Sequence, residues 1–320
     1  MIPERTQRFD EVVDVVDWKA PDGHEFVYAE GSRAKRLLIC PDPAPFAFLR
    51  PGYRYLLKES SHRYPEQFWV EILAYRLGCA MGVPVPPAFV AVDSRNGICA
   101  ALIEWFYDEP QRYVSGGEYM KRLIKDYDYK TGRQHNFEVI ALRCRVFQRQ
   151  GLLPSDWSVH WARVLVLDSL MGNTDRHQDN WGVVWGRFDG RMEGRLSPAF
   201  DNGTSMAHEI RNQDLAGFTR DSKRLAAYVR RGRHHMKWRQ ADTQRLGHGA
   251  LLARYCGTYA AARPLMLDCL SFRADAIERI VLGLKDVDVA VPLSVERAEF
   301  MLQLLAFRRE RLLQELTDTL

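Results

Sequence analysis

Apolar positions in the first hundred residues fall in short runs broken by glycine, serine and proline. Residues 24–29, 35–40 and 53–59 have the aromatic and aliphatic content of strands. The period then changes. Phe68, Trp69, Ile72, Leu73 and Leu77 recur at helical spacing, Pro65 suits a first-turn position, Glu66 favours the helix dipole, and Gly82 and Pro84 stop the helix. Residues 88–92 and 98–105 predict two more strands joined across Asn96-Gly97, a strong hairpin dipeptide. Three strands, a helix and two strands make a small α+β lobe, a five-strand sheet plus one helix over residues 1–107. From Gln111 the pattern is helical, interrupted by a hairpin near 181–196 around Asp189-Gly190. Within that part, residues 161–171 are apolar on most sides and predict a buried helix that Gly172 ends, and 295–316 form a clear amphipathic helix. No internal repeat or low-complexity linker is evident. The lobes should therefore join directly near 104–109, with residues 108–320 as the larger, helical one.

Composition narrows the class without deciding it. With 46% hydrophobic and 27% charged residues the 320-residue chain can bury a sizeable core. A net charge of +4 is too mild to imply nucleic acid. The six cysteines are scattered with no C-x-x-C pair, which predicts reduced core thiols rather than zinc or disulfides. The N-terminus lacks a signal-peptide layout, and no apolar stretch reaches the ~20 residues of a membrane helix. The expectation is a soluble, cytoplasmic protein with no membrane span. The basic run 230–239 could dock tRNA, an acidic lipid headgroup or an acidic partner, but a solvated loop is its more ordinary reading.

Candidate chemistry concentrates in Gly172-Asn173-Thr174-Asp175-Arg176-His177-Gln178-Asp179-Asn180, a polar loop anchored by the apolar helix before it. Asp175 and Asn180 are five apart, and Asp201 follows in the turn Phe200-Asp201-Asn202-Gly203. Phosphoryl transfer needs an aspartate to orient the acceptor hydroxyl, and an amide oxygen and a carboxylate on Mg²⁺. The spacing also arises by chance: Asp175 could form an Asx-turn and His177 simply pack, or the two could ligate the metal of a hydrolase. Upstream, Lys58 ends a strand and could reach α/β-phosphates, while Glu71 in the next helix is placed to hold it. Separately, each reads as an ordinary surface charge. Gly31 and Ser32 sit in a turn whose backbone could approach a phosphate, with Arg33 or Lys35 adding charge. The order Lys, Glu, hairpin, Asp…Asn, Asp matches a nucleotide-binding small lobe over a catalytic large lobe.

Gly31-Ser32-Arg33-Ala34-Lys35, Tyr55-Leu56-Leu57-Lys58, Glu71 with Arg76-Leu77 and Gly82-Val83, Asp175-Arg176-His177 with Asn180, and Asp201-Asn202-Gly203 together resemble the HipA-like serine/threonine kinases. The likeness runs in order from about residue 24 to 206. It implies a bilobal protein-kinase-like fold and an ATP- and Mg²⁺-dependent kinase acting on a Ser/Thr hydroxyl of a protein of unknown identity. By that resemblance Lys58 binds ATP phosphates and Glu71 pairs with it. Asp175 is the catalytic aspartate, Asn180 and Asp201 are Mg²⁺ ligands, and Gly31, Ser32, Arg33 and Lys35 lie in the loop over the phosphates. A hinge at 103–106, including Glu104 and Trp105, would meet adenine through backbone groups.

The toxins of that family carry an N-terminal subdomain of roughly a hundred residues, whereas about twenty precede the first predicted strand here. The chain thus resembles the compact members, some of them secreted effectors. An antitoxin or a host protein is the implied partner, and nucleic acid enters only as tRNA bound through a partner. Tyr28 stands where such toxins autophosphorylate a serine, leaving Ser32 as the nearest substitute. The alternatives are a phosphoinositide (lipid) kinase, since the same loop motif occurs there, and a nucleotide-binding pseudokinase or effector module. No lysine cluster follows Asp201 before Lys223 to hold an inositol phosphate, and the complete Lys58, Asp175, Asn180 and Asp201 set argues against a pseudokinase.

Overall fold

The computed structural model describes residues 3–21 and 33–318; the strand expected at 24–29, Tyr28 and the loop residues Gly31 and Ser32 lie outside the described residues. In the small lobe, β1 (Val13–Asp14), β2 (Lys35–Ile39), β3 (Arg54–Glu59), β4 (Ala88–Asp93) and β5 (Ile98–Glu104) form one sheet in the order β1-β4-β5-β3-β2. Among the described residues the sheet therefore has five strands. One of them, β1, is a two-residue strand that sequence periodicity could not announce, and it pairs parallel with β4. The β4–β5 hairpin turns where expected, with Gly97 at φ 65°.

Between β3 and β4 a 3-10 turn at Pro65–Gln67 leads into α1 (Phe68–Met81). Every residue of α1 except Ala80 is buried, and Gly82 ends it in the left-handed conformation at φ 68°. Only glycine takes that conformation without strain. A helix enclosed this completely gains its stability from packing rather than from propensity, at roughly 1.5–3 kcal/mol for each large apolar side chain removed from water.

The larger lobe opens with β6 (Arg112–Ser115), a strand the hydrophobic pattern did not indicate. It pairs with β7 (Gly182–Phe188), which pairs with β8 (Arg191–Leu196), turning over Asp189 and Gly190, both at positive φ. The rest is helical: α2 (Gly116–Leu123), α3 (Phe137–Arg149), α4 (Trp157–Met171), α5 (Asn212–Thr219), α6 (Ser222–Arg231), α7 (His248–Thr258), α8 (Ala262–Cys269), α9 (Ala274–Lys285) and α10 (Val295–Asp318). The buried helix expected at 161–171 is α4, four residues longer at its start. It packs against α1, α7, α8 and α10, which places its C-terminus, capped by Gly172 at φ 65°, at the centre of the molecule. All six cysteines are free and buried, as their apolar contexts predicted. No helix among the described residues is long and apolar enough to cross a membrane.

Candidate active site

Strand register builds the phosphate-facing side of the small lobe. Lys35 on β2 stands directly opposite Lys58 on β3. Like charges in that position repel, so the pair requires anions. Lys58 Nζ lies 2.5 Å from Glu71 Oε1 and 2.5 Å from Asp201 Oδ1, and Lys35 Nζ lies 3.9 Å from the other oxygen of Asp201. Arg33 adds a third cation, 3.3 Å from Glu71 and 3.1 Å from Asp201. Lys58 is 2% exposed and Glu71 3% exposed, so neither is the surface charge that its position alone suggested.

The second face of Glu71 reaches across to the larger lobe. It accepts hydrogen bonds from the N–H groups of Asn202 and Gly203, each at 3.0 Å. Gly203 is needed here for space: a Cβ would sit 2.3 Å from Arg33 Nη1 and 2.6 Å from Glu71 Oε1. Burial opposes ionisation of both carboxyls. Lys58 and Arg33 outweigh it at Glu71, and Lys58, Arg33 and Lys35 outweigh it at Asp201, so both are held below the usual range. Asp201 has φ 56°, a conformation an aspartate seldom adopts and one that clusters at functional sites.

The polar loop is held from behind by groups that sequence reasoning passed over. Asp168, buried in the last turn of α4, receives Arg176 through two bonds, Nη2 to Oδ1 at 2.7 Å and Nε to Oδ2 at 3.1 Å. Asn173 donates to Oδ1 at 3.0 Å. His234 Nδ1 accepts from the N–H of Met236, which leaves the proton on Nε2, 3.2 Å from Asp168 Oδ2. Arg176 then donates to the carbonyls of Asn180 and Phe200 and to Asn202 Oδ1. One buried guanidinium thus fixes both the loop that carries Asn180 and the turn that carries Asp201. An aspartate within the apolar stretch 164–171 of α4 and the central arginine of the motif were the available signals. The ends of this network lie 66 residues apart, so spacing could not join them.

The Asx-turn that is the alternative reading of Asp175 belongs instead to Asn173, whose Oδ1 accepts the Asp175 N–H at 2.9 Å. The Asp175 carboxyl is thereby left to act. Burial raises its pKa against the pull of His177, the Asp201 carboxylate raises it further, and the Thr204 side chain beside it lowers it. Asn180 donates Nδ2 to the Asp175 carbonyl at 2.8 Å, which leaves its Oδ1 with no protein partner among the described residues.

At the junction of the lobes the backbone shows a specific opening. Glu104 donates its N–H to the Pro87 carbonyl at 2.8 Å. The reciprocal ladder bond cannot form because proline has no N–H, so the Glu104 carbonyl has no strand partner there. The Glu104 side chain serves elsewhere, 2.5 Å from Arg5 and 3.0 Å from the Tyr55 hydroxyl. Trp105 likewise commits its N–H to the Arg54 carbonyl. Phe106 stacks on Phe200 at 4.9 Å, tying this junction to the residue before Asp201.

Three features fit a magnesium nucleotide. The phosphate side holds three cations against two carboxylates, and Arg33 Nη1 is buried without a partner among the described residues. Asn180 offers an amide oxygen and Asp201 a carboxylate. Among the described residues no three His, Cys, Asp or Glu side chains converge as a metal cluster, so a magnesium ion held here would complete its shell with phosphate and water oxygens, as it prefers.

The sequence matches the model of the HipA-like C-terminal domain over residues 29–266. The chain belongs to that family. A Helicobacter pylori proinflammatory kinase, CtkA, has a similar structure, with TM-score 0.72 and 16% identity over 96% of this chain and 98% of its own. HipA of Shewanella oneidensis MR-1, solved with HipB and operator DNA, aligns at TM-score 0.45 and 15% identity over 95% of this chain and 66% of its own. A golgi casein kinase aligns at 0.46 and 10%, over 96% and 73%. Among curated proteins no sequence matches. The fold is the α+β bilobal arrangement of kinases, and family and fold together support a phosphotransferase.

Proposed function

We propose that this HipA-like chain is an ATP- and Mg²⁺-dependent kinase that transfers the γ-phosphate to a Ser or Thr hydroxyl of a protein. The observation that carries the reading is Lys58, buried and shared between Glu71 and Asp201 at 2.5 Å each. A lysine so placed binds phosphate oxygens as a point charge, and Glu71 holds it in position. Lys35 and Arg33 add charge on the same side. The free Glu104 carbonyl can accept a hydrogen bond from an adenine amino group. Asp175 Oδ accepts a hydrogen bond from the acceptor hydroxyl, orients it and receives its proton as the new ester forms. Asn180 Oδ1 and the Asp201 carboxylate would hold magnesium, which neutralises charge on the transferring phosphate. Asp201 would exchange Lys58 for the metal, leaving the ammonium to the phosphates.

The test is incubation with γ-labelled ATP and Mg²⁺, with a generic protein acceptor or with phosphoinositide vesicles. Label on serine or threonine supports the reading. Label on lipid alone would replace it with the lipid-kinase alternative, and the absence of both label transfer and ATP hydrolysis would refute catalysis.

A further inference from the structure

Away from the nucleotide cleft, the C-terminal end of α6, the segment leading into α7, and α10 enclose an open cavity of about 570 Å³. It is lined by five arginines: Arg230, Arg233, Arg245, Arg308 and Arg311. This is what becomes of the basic run at 230–239. His234, Met236 and Trp238 pack into the core, while Arg230 and Arg233 stay at the cavity's edge. The run is therefore solvated at Arg230, Arg231, Arg233 and Arg239 and part of the core at His234, Met236 and Trp238.

Two independent observations point to an anionic occupant. The first is His248 in the cavity wall, 9% exposed, with both ring nitrogens buried and without a hydrogen-bond partner among the described residues. Buried polar groups are normally satisfied, and a neutral imidazole presents one N–H donor. Burial, with His234 and Arg308 nearby, pushes its pKa down to about 3, so it is neutral at physiological pH. The second is a carboxylate of the chain itself. Glu315 lies against Gly249 in the first turn of α7, where a Cβ would meet its Oε2 at 1.4 Å, and it pairs with Arg311 at 2.8 Å. Gly247, which opens α7, offers no side-chain cap, so the positive end of the helix dipole lies beside Gly249 and Glu315.

We propose that this cavity binds a phosphoryl group carried on a protein segment. Its size exceeds a lone phosphate, and guanidinium forks match phosphate oxygens in pairs. No phenylalanine, tyrosine or tryptophan lines it to stack a nucleobase. The exposed large apolar side chains among the described residues are Phe9, Leu123, Leu142, Met192, Leu282 and Val295. None of them lines the cavity, so it lacks the anchors a lipid surface requires. The site is also placed to be felt by the catalytic loop. Arg308 donates to the Met171 carbonyl at 2.6 Å, and His248 packs edge-on at 6.0 Å against His234, the donor to Asp168.

Fluorescence anisotropy with a phosphoserine peptide and its unphosphorylated twin tests the assignment on the intact chain. The phosphopeptide should bind at least tenfold more tightly, with affinity falling steeply as salt rises. The double substitution R233A/R311A should weaken it tenfold or more, and Glu315→Gln, which removes the competing carboxylate, should tighten it. Equal binding of the two peptides would overturn the proposal. So would an unchanged affinity in the arginine variant, equal displacement by inorganic phosphate at matched concentration, or a preference for phosphoinositide vesicles. The measurement needs no ATP: a chain that binds phosphopeptide without transferring phosphate would refute the kinase reading alone.

Discussion

At the residue scale, Asp175 carries the sharpest consequence. Its backbone is pinned by Asn173 and Asn180, so a change of side chain leaves the loop in place. If Asp175 is the proposed base, a role worth ~10²–10⁴ in rate, Asp175→Asn should lower kcat by that factor while ATP affinity stays unchanged. Loss of ATP binding instead would assign the residue another role. The raised pKa sets the sign of two further effects. The proposed base acts as the ionised carboxylate, so the acid limb of kcat/KM should lie above the ordinary aspartate value of about 3.9. An acid whose pKa is higher folded than unfolded binds more protons in the native state, so its contribution to stability falls as pH rises through that interval. At neutral pH the ionised group is therefore a burden on the fold. Asp175→Asn should melt no lower than the parent chain, which separates lost chemistry from lost structure.

At the element scale, α4 is the support of the site, and Asp168 is its point of attachment. Burial opposes ionisation of Asp168, but Arg176 and His234 outweigh it and hold the pKa well below the usual carboxylate range. The sign is opposite to that of Asp175: this stabilisation is present above about pH 3.9 and is lost as pH falls toward the folded value. Asp168→Asn leaves Arg176 buried without a counter-charge, at a cost of ~3–5 kcal/mol. Urea denaturation should show the midpoint drop with the slope unchanged, and a loss below ~1 kcal/mol would contradict the role. Elements of this kind were largely legible in the sequence. Helix α1, the β4–β5 and β7–β8 hairpins and the end of α4 are all punctuated locally by proline, glycine or an Asn-Gly or Asp-Gly pair. Strands β1 and β6 were not, because two to four residues carry no period and each exists only by pairing with a distant strand. The site divides the same way. Asp175, Asn180 and Asp201 stand in recognisable local patterns, whereas the Asp168–Arg176–His234 network and the opening beside Pro87 are long-range. The burial of Lys58 is equally invisible, since an ammonium at a strand end looks solvated until a helix and the Asp201 turn close over it.

At the scale of the molecule, the two lobes pack through α1 against α4, α8 and α9, and at the site they meet through charge. Glu71 of the small lobe holds the Asn202 and Gly203 amides, Lys58 and Arg33 hold Asp201, and Phe106 stacks on Phe200 beside the junction. On the proposed mechanism Asp201 would have two competing claims, the lysine in the free protein and a magnesium ion in the loaded one. ATP without metal would add phosphates to a cleft whose lysine is still paired. Metal without ATP would have to displace that lysine for one carboxylate and one amide oxygen. Each alone should bind weakly, and each should remove the obstacle to the other. A ligand that binds only the folded state stabilises it by about 2.7 kcal/mol at a hundredfold excess over Kd. Thermal melting should thus rise by several degrees with ATP and Mg²⁺ together, by more than the sum of the two separate shifts. Asp201→Ala should abolish the synergy without unfolding the chain, because Lys58 keeps Glu71 and Glu71 keeps its two amides. If ATP in EDTA shifts the melting point as far as ATP with Mg²⁺, the Asp201 carboxylate is a structural partner of Lys58 and nothing more.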